Sequence, residues 1–168
     1  MKKSFCLAAL ALSLAVSAVP AFAQGSSCGK VVGRKVETVI PAPGDPYGRV
    51  LGATSGDIKA SITAYITTLI TDSAGVSRAT LTEVWMLGAQ DTIYFTGQAV
   101  FTPIPGQPLG TVADSLTLTA IGGTGLFTGA TGTLQVSGAG FNLFGPNAAP
   151  GKTFFDVGFT GTICRPHL

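Results

Sequence analysis

Residues 121–138 read IGGTGLFTGATGTLQVSG, and six of these eighteen positions are glycine. The run follows a strand-like segment, SLTLTAI (115–121), and itself ends in the alternating TLQVSG (133–138). Glycine beside strands marks a bulge, a sharp bend or a close backbone approach. The two clusters, GGTG and GATG, therefore predict a corner where the chain turns with positive φ and bends back into a second strand. Leu126 and Phe127 between them are expected to plug an end of the core. A phosphate cradle does not fit, because the glycines do not match G-x-G-x-x-G in frame, no helix follows and no Walker lysine is present.

Outward from this corner the chain reads as all-β. Thr, Val, Ile and Phe are abundant and Gly and Pro punctuate often. In SGDIKASITAYITTLI (55–70), Ile58, Ala60, Ile62, Ala64 and Ile66 share one face, opposed by Lys59, Ser61, Thr63, Tyr65 and Thr67. The turn TDSAGV leads into SRATLTEVWMLG, and residues 88–91 turn that strand into TIYFTGQAVFTPI, whose Ile93, Phe95, Ala99 and Phe101 align with Gly97. After PGQPLG, Leu116 and Leu118 alternate with Ser115, Thr117 and Thr119. The last strand, KTFFDVGFTGTIC, sets Phe155, Val157, Phe159 and Ile163 against Asp156, Gly158, Thr160 and Thr162. Seven or eight short-connected strands with one apolar face predict a sandwich or a closed barrel, and short connections favour an up-and-down order. Residues 24–47, ending in PAPGDPYG, read as an irregular lead-in that could include a strand at KVVGRKVETVI, and the barrel domain is expected over 48–168.

A strand followed by Gly-Gly-Thr/Ser-Gly-x-Phe-x-x-Ala/Val-x-Gly resembles the signature of the allene oxide cyclase and dirigent superfamily. Gly122, Gly123, Thr124, Gly125, Phe127, Ala130 and Gly132 match it. The resemblance, covering roughly 48–164, implies a single eight-stranded antiparallel β-barrel with a largely apolar cavity, commonly in a homotrimer. Plant members cyclise an unstable fatty-acid epoxide or steer the coupling of phenolic radicals. They work by holding a reactive intermediate in a shaped cavity, without a cofactor.

The ends of the chain set its compartment. Lys2 and Lys3, a long apolar run and Ala21-Phe22-Ala23 predict a secretory signal peptide over 1–23, with a mature start at Gln24 and a periplasmic or secreted protein. Without Lys2 and Lys3, eight of the ten basic residues remain against eight acidic ones, so no basic footprint for nucleic acid survives. No further apolar run is long enough to span a bilayer. Cys6 leaves with the leader. Cys28 and Cys164 are expected to pair in an oxidising compartment, with an intermolecular bridge or two free thiols as the other readings.

Few groups could carry chemistry. Glu83 shares a face with Leu81, Trp85 and Leu87, and a carboxylate on an apolar face is costly unless paired, hydrated or protonated. Lining a cavity it would act as acid or base, or orient a ligand; at the rim it would sit in an ion pair. Asp114 is in phase with Leu116 and Leu118, but at a strand start where exposure is expected, and Asp156 lies on the polar face. The expected lining residues are Trp85, Leu81, Phe95, Asp114 and Phe127, with Glu83 the candidate catalytic group. The sole histidine, His167, sits one residue from the C-terminus, which disfavours a triad or a His-based zinc site. No cofactor or metal is expected. The readings that follow are a barrel binding a small apolar or aromatic molecule, as a cofactor-free isomerase, cyclase or stereocontrolling protein or as a carrier, or an envelope or surface interaction protein with a packed barrel.

Overall fold

Apolar residues at every second position, opposed by threonine, give strands with one wet and one dry face, and closing the sheet buries the dry one. The computed structural model describes residues 26–143 and 151–166. The leader, the expected start at Gln24 and His167 lie outside the described residues. Eight strands are formed: β1 (Ser26–Ile40), β2 (Arg49–Gly56), β3 (Ser61–Thr71), β4 (Ser77–Met86), β5 (Thr92–Pro103), β6 (Val112–Thr124), β7 (Thr131–Phe141) and β8 (Phe154–Pro166). Each pairs antiparallel with its neighbour in sequence and β8 returns to β1, so the eight strands form a closed up-and-down barrel. Closure satisfies the ladder on every strand and leaves no edge.

The outer wall is largely threonine. Thr82, Thr96, Thr119, Thr133 and Thr162 stand in register across β4 to β8. β-branched side chains suit a pleated surface, and cross-strand threonines add hydroxyl contacts. Tyr65 and Tyr94 also point outward, Tyr65 beneath the Arg49 guanidinium, and Asp156 pairs with Arg34 on the surface.

The glycine-rich corner turns β6 into β7. Gly125 has φ +56°, and a side chain there would strike the Asp91 carboxylate, whose Oδ1 accepts a hydrogen bond from the Leu126 N–H at 2.9 Å. Gly132, at φ +133°, lies against the backbone of Thr162 and allows β7 to start close to β8. The 3-10 turn Gly125–Phe127 tips Phe127 into the barrel end, and Ala130 is buried behind it. Leu126 faces solvent, so one side chain of the pair plugs the core and not both.

This end is packed solid. Trp85 is fully buried, with Phe95 and Phe159 at ring-centroid distances of 4.9 and 5.2 Å. Phe159 occupies the place that a side chain on Gly33 would take, so the glycine in β1 makes room for the ring.

Two expectations need correction at the N-terminal side. Most of the stretch read as an irregular lead-in is β1, a full barrel strand that pairs with both β2 and β8. The barrel thus begins at Ser26 and not at 48. Arg49–Gly56 is a strand that the reading did not separate, and residues 57–60, read as the start of β3, form the β2–β3 connection. In β1 the usual cue is inverted: Val32 and Val36 are exposed while Lys35 and Glu37 point inward.

Cys28 and Cys164 are register partners on β1 and β8 and form a disulfide. The bridge lies on the seam that closes the barrel and links residues 136 apart in sequence. Constraining so long a loop in the unfolded chain is worth at most about 4–5 kcal/mol. Reduction, or Cys28→Ser with Cys164→Ser, is expected to lower the urea midpoint by a corresponding amount with the β-sheet circular dichroism spectrum kept; an unchanged midpoint would show the seam to be held by its ladder alone.

Candidate functional site

Above the packed half, the barrel interior changes character. β1 contributes Lys35 and Glu37, β4 contributes Glu83 and β6 contributes Asp114, all buried. Strand alternation dictates their direction, since Lys35 and Glu37 follow Gly33 at spacing two, Glu83 stands between Leu81 and Trp85, and Asp114 two before Leu116.

The Lys35 Nζ lies at the centre. It donates to Glu83 Oε1 at 2.7 Å and lies 3.0 Å from Glu37 Oε2 and 3.2 Å from Oε1. Glu83 Oε2 accepts the Trp85 indole N–H at 2.7 Å, so both its oxygens are engaged. Burial by itself disfavours the Lys35 ammonium, but the charges of Glu37 and Glu83 and their hydrogen bonds outweigh it and raise its pKa. Lys35 is thus held as a cation and is no amine nucleophile.

The two other carboxyls are held differently. Burial pushes Glu37 up to about 7 against the pull of Lys35, with Glu83 and Asp114 adding repulsion. Burial likewise pushes Asp114 up to about 6, partly opposed by Lys35. Asp114 Oδ1 is the one buried side-chain polar atom among the described residues without a hydrogen-bond partner. Carboxyls that exchange protons near neutrality, inside a cavity, are candidates for acid–base work.

A space of about 30 Å³ lies among Glu37, Glu83, Asp114, Leu81, Ala99 and Leu116, beneath Ile66, Phe101 and Phe155. Those last three residues also line a much larger apolar cavity of about 620 Å³ at the barrel mouth. Its outer wall is the β1–β2 loop, whose Pro41, Pro43, Pro46 and Tyr47 bend over the opening. Turn hydrogen bonds from Asp45 N–H to Ala42 and from Gly48 N–H to Asp45 hold the loop, and Asp45 pairs with Arg49 at 2.9 Å.

The sequence-derived residues divide between the two halves. Glu83, Leu81 and Asp114 meet at the small space, and Asp114 is buried there despite its place near a strand start. Trp85, Phe95 and Phe127 belong to the packed end and line neither cavity, because the corner and Phe159 fill the volume around them. Lys35 and Glu37 were not anticipated. Their signal was the alternating K-x-E within GRKVETV, masked by valines on the opposite face. No cluster of His, Cys, Asp or Glu among the described residues is arranged to hold a metal ion. Nor is any described helix long and apolar enough to cross a membrane.

Comparison with protein-family models, with curated proteins and with solved structures finds no match.

Glu37 and Asp114 bind protons more readily in the folded barrel than in the unfolded chain, where carboxyls titrate near 4. Their contribution to stability is complete below that range and is lost as pH rises through about 6 and then about 7. Raising the pH from 5 to 8 is thus expected to cost about 4 kcal/mol in urea unfolding. Lys35→Met strands the carboxylates and should cost about 3–5 kcal/mol at pH 8, and distinctly less at pH 5. A flat pH profile, or an equal loss at both pH values, would contradict this arrangement.

Proposed function

We propose that this barrel binds a small apolar or aromatic molecule, which enters beneath the proline-rich loop and reaches the carboxyl cluster below. The observation that carries the reading is adjacency: Ile66, Phe101 and Phe155 line both the wide apolar cavity and the carboxyl-lined space, so only these side chains stand between the two. A cavity of about 620 Å³ suits a small molecule, and an apolar wall with a few convergent polar groups is the usual make-up of a ligand site. The disulfide suits an oxidising, exported setting, and the predicted leader supports a periplasmic or secreted location.

The resemblance of the Gly122–Gly132 corner to allene oxide cyclase and dirigent proteins supports the same reading and carries a homotrimer with it as an expectation. A cofactor-free isomerase or cyclase chemistry would need a proton donor or acceptor at the cavity. Asp114 and Glu37 suit that role better than Glu83, whose oxygens are committed to Lys35 and Trp85. Glu83 then serves to position Lys35.

The test is binding of Nile red, an uncharged apolar dye. Saturable fluorescence enhancement is expected with the native protein. Leu69 of β3 lines the mouth cavity, and Leu69→Trp, which fills it, should weaken dye binding at least ten-fold while leaving thermal unfolding near that of the parent. Equal dye binding in the Leu69→Trp variant would overturn the proposed entry.

A further inference from the structure

We propose that the molecule received by this barrel carries a protonated amine, seated against Asp114 in the space beneath Phe101 and Phe155, with its apolar body in the mouth cavity. This rests on the binding reading above and adds the chemical class of the ligand.

The buried polar side chains are otherwise satisfied: Thr54 bonds to the backbone of Ile58 and Ala60, Ser77 to Thr71, and Lys35, Glu37 and Glu83 to one another. Asp114 Oδ1 stands alone, at a residue only 5% exposed. A carboxylate oxygen accepts and does not donate when ionised, so the missing partner is a donor. The adjoining space of about 30 Å³ has the size of one water molecule or one primary ammonium.

Lys35 faces Asp114 from β1 as the one buried cation among the described residues, while Glu37 from β1 and Glu83 from β4 face it as further carboxyls. On the flanking strands, Phe101 of β5 is the register partner of Asp114 on one side and Gly138 of β7 on the other, and Phe155 of β8 closes the space. None of these offers a compensating charge. The cluster thus has one positive group for three carboxyls, and among the described residues the ionisable groups lining the wider mouth are Asp45 and Tyr47. A second cation halves the excess negative charge, whereas a ligand carboxylate would meet like charge in a low-dielectric setting. The aromatic residues between the two spaces support the same choice, since Phe101 and Phe155 line both and an aromatic face attracts an ammonium.

The experiment compares three probes of one shape, 2-(2-naphthyl)ethylamine, 2-(2-naphthyl)ethanol and 2-naphthylacetate, as competitors of Nile red at pH 7.5. The amine is expected to bind at least ten-fold more tightly than the alcohol, and the acid most weakly. Asp114→Asn should remove the preference for the amine while retaining the alcohol, and lowering the pH to 5 in the parent protein should reduce it in the same way. The three-probe comparison on the native protein decides the matter even where the variant does not fold. Alcohol or acid binding as tight as the amine, or dye binding that none of the probes displaces, would overturn the amine assignment and leave the cavity reading intact. Absence of both dye and probe binding would overturn the two together.

Discussion

The Lys35 ammonium, enclosed in the middle of a barrel and held between Glu83 and Glu37, is the constraint on which the rest depends. Removing such a charge from water costs several kcal/mol even after the surroundings relax, and only good geometry with further hydrogen bonds offsets it. The structure supplies both. Glu83 is fixed from below by the Trp85 indole, and Trp85 is fixed by Phe95 and Phe159. The aromatic end of the barrel thus does more than fill volume, because it sets the position of the carboxylate that holds the lysine.

That dependence divides the interior into a rigid lower half and an accessible upper one. Below the lysine, the glycine-rich corner and Phe127 close the end. Above it, Glu37 and Asp114 share Lys35 with Glu83 and remain under-compensated, and the side chains give way to a cavity under the proline-rich loop. A buried ion cluster is a poor source of stability compared with apolar packing. Its presence beside an open cavity is what motivates the ligand proposed for that cavity.

Much of the fold was legible because strands from β3 onward alternate cleanly and their connections are short. Ile62 and Ala64, Leu116 and Leu118, and Phe155, Val157 and Phe159 all face inward as their pattern indicates. The first two strands were harder to read for the same physical reason that makes the site interesting. β1 places Lys35 and Glu37 inside and Val32 and Val36 outside, and β2 presents small residues beside Glu37, where Gly52 leaves room for its side chain. Of the site, Glu83 and Asp114 could be found as carboxylates in phase with apolar neighbours. Lys35 could not, since pairing across the barrel joins residues 48 apart in sequence, which no local pattern encodes.

The central claim is that the barrel interior holds one fixed cation among carboxyls, two of which it leaves protonatable near neutrality. The most direct measurement is a side-chain carboxyl titration by carbon-13 NMR on the folded protein, with Glu37 and Asp114 assigned by substitution. The account requires Glu37 to titrate near 7 and Asp114 near 6. Titration of both in the ordinary range around 4 would mean that these carboxyls are solvated or fully paired, and would contradict the buried cluster and the site built on it.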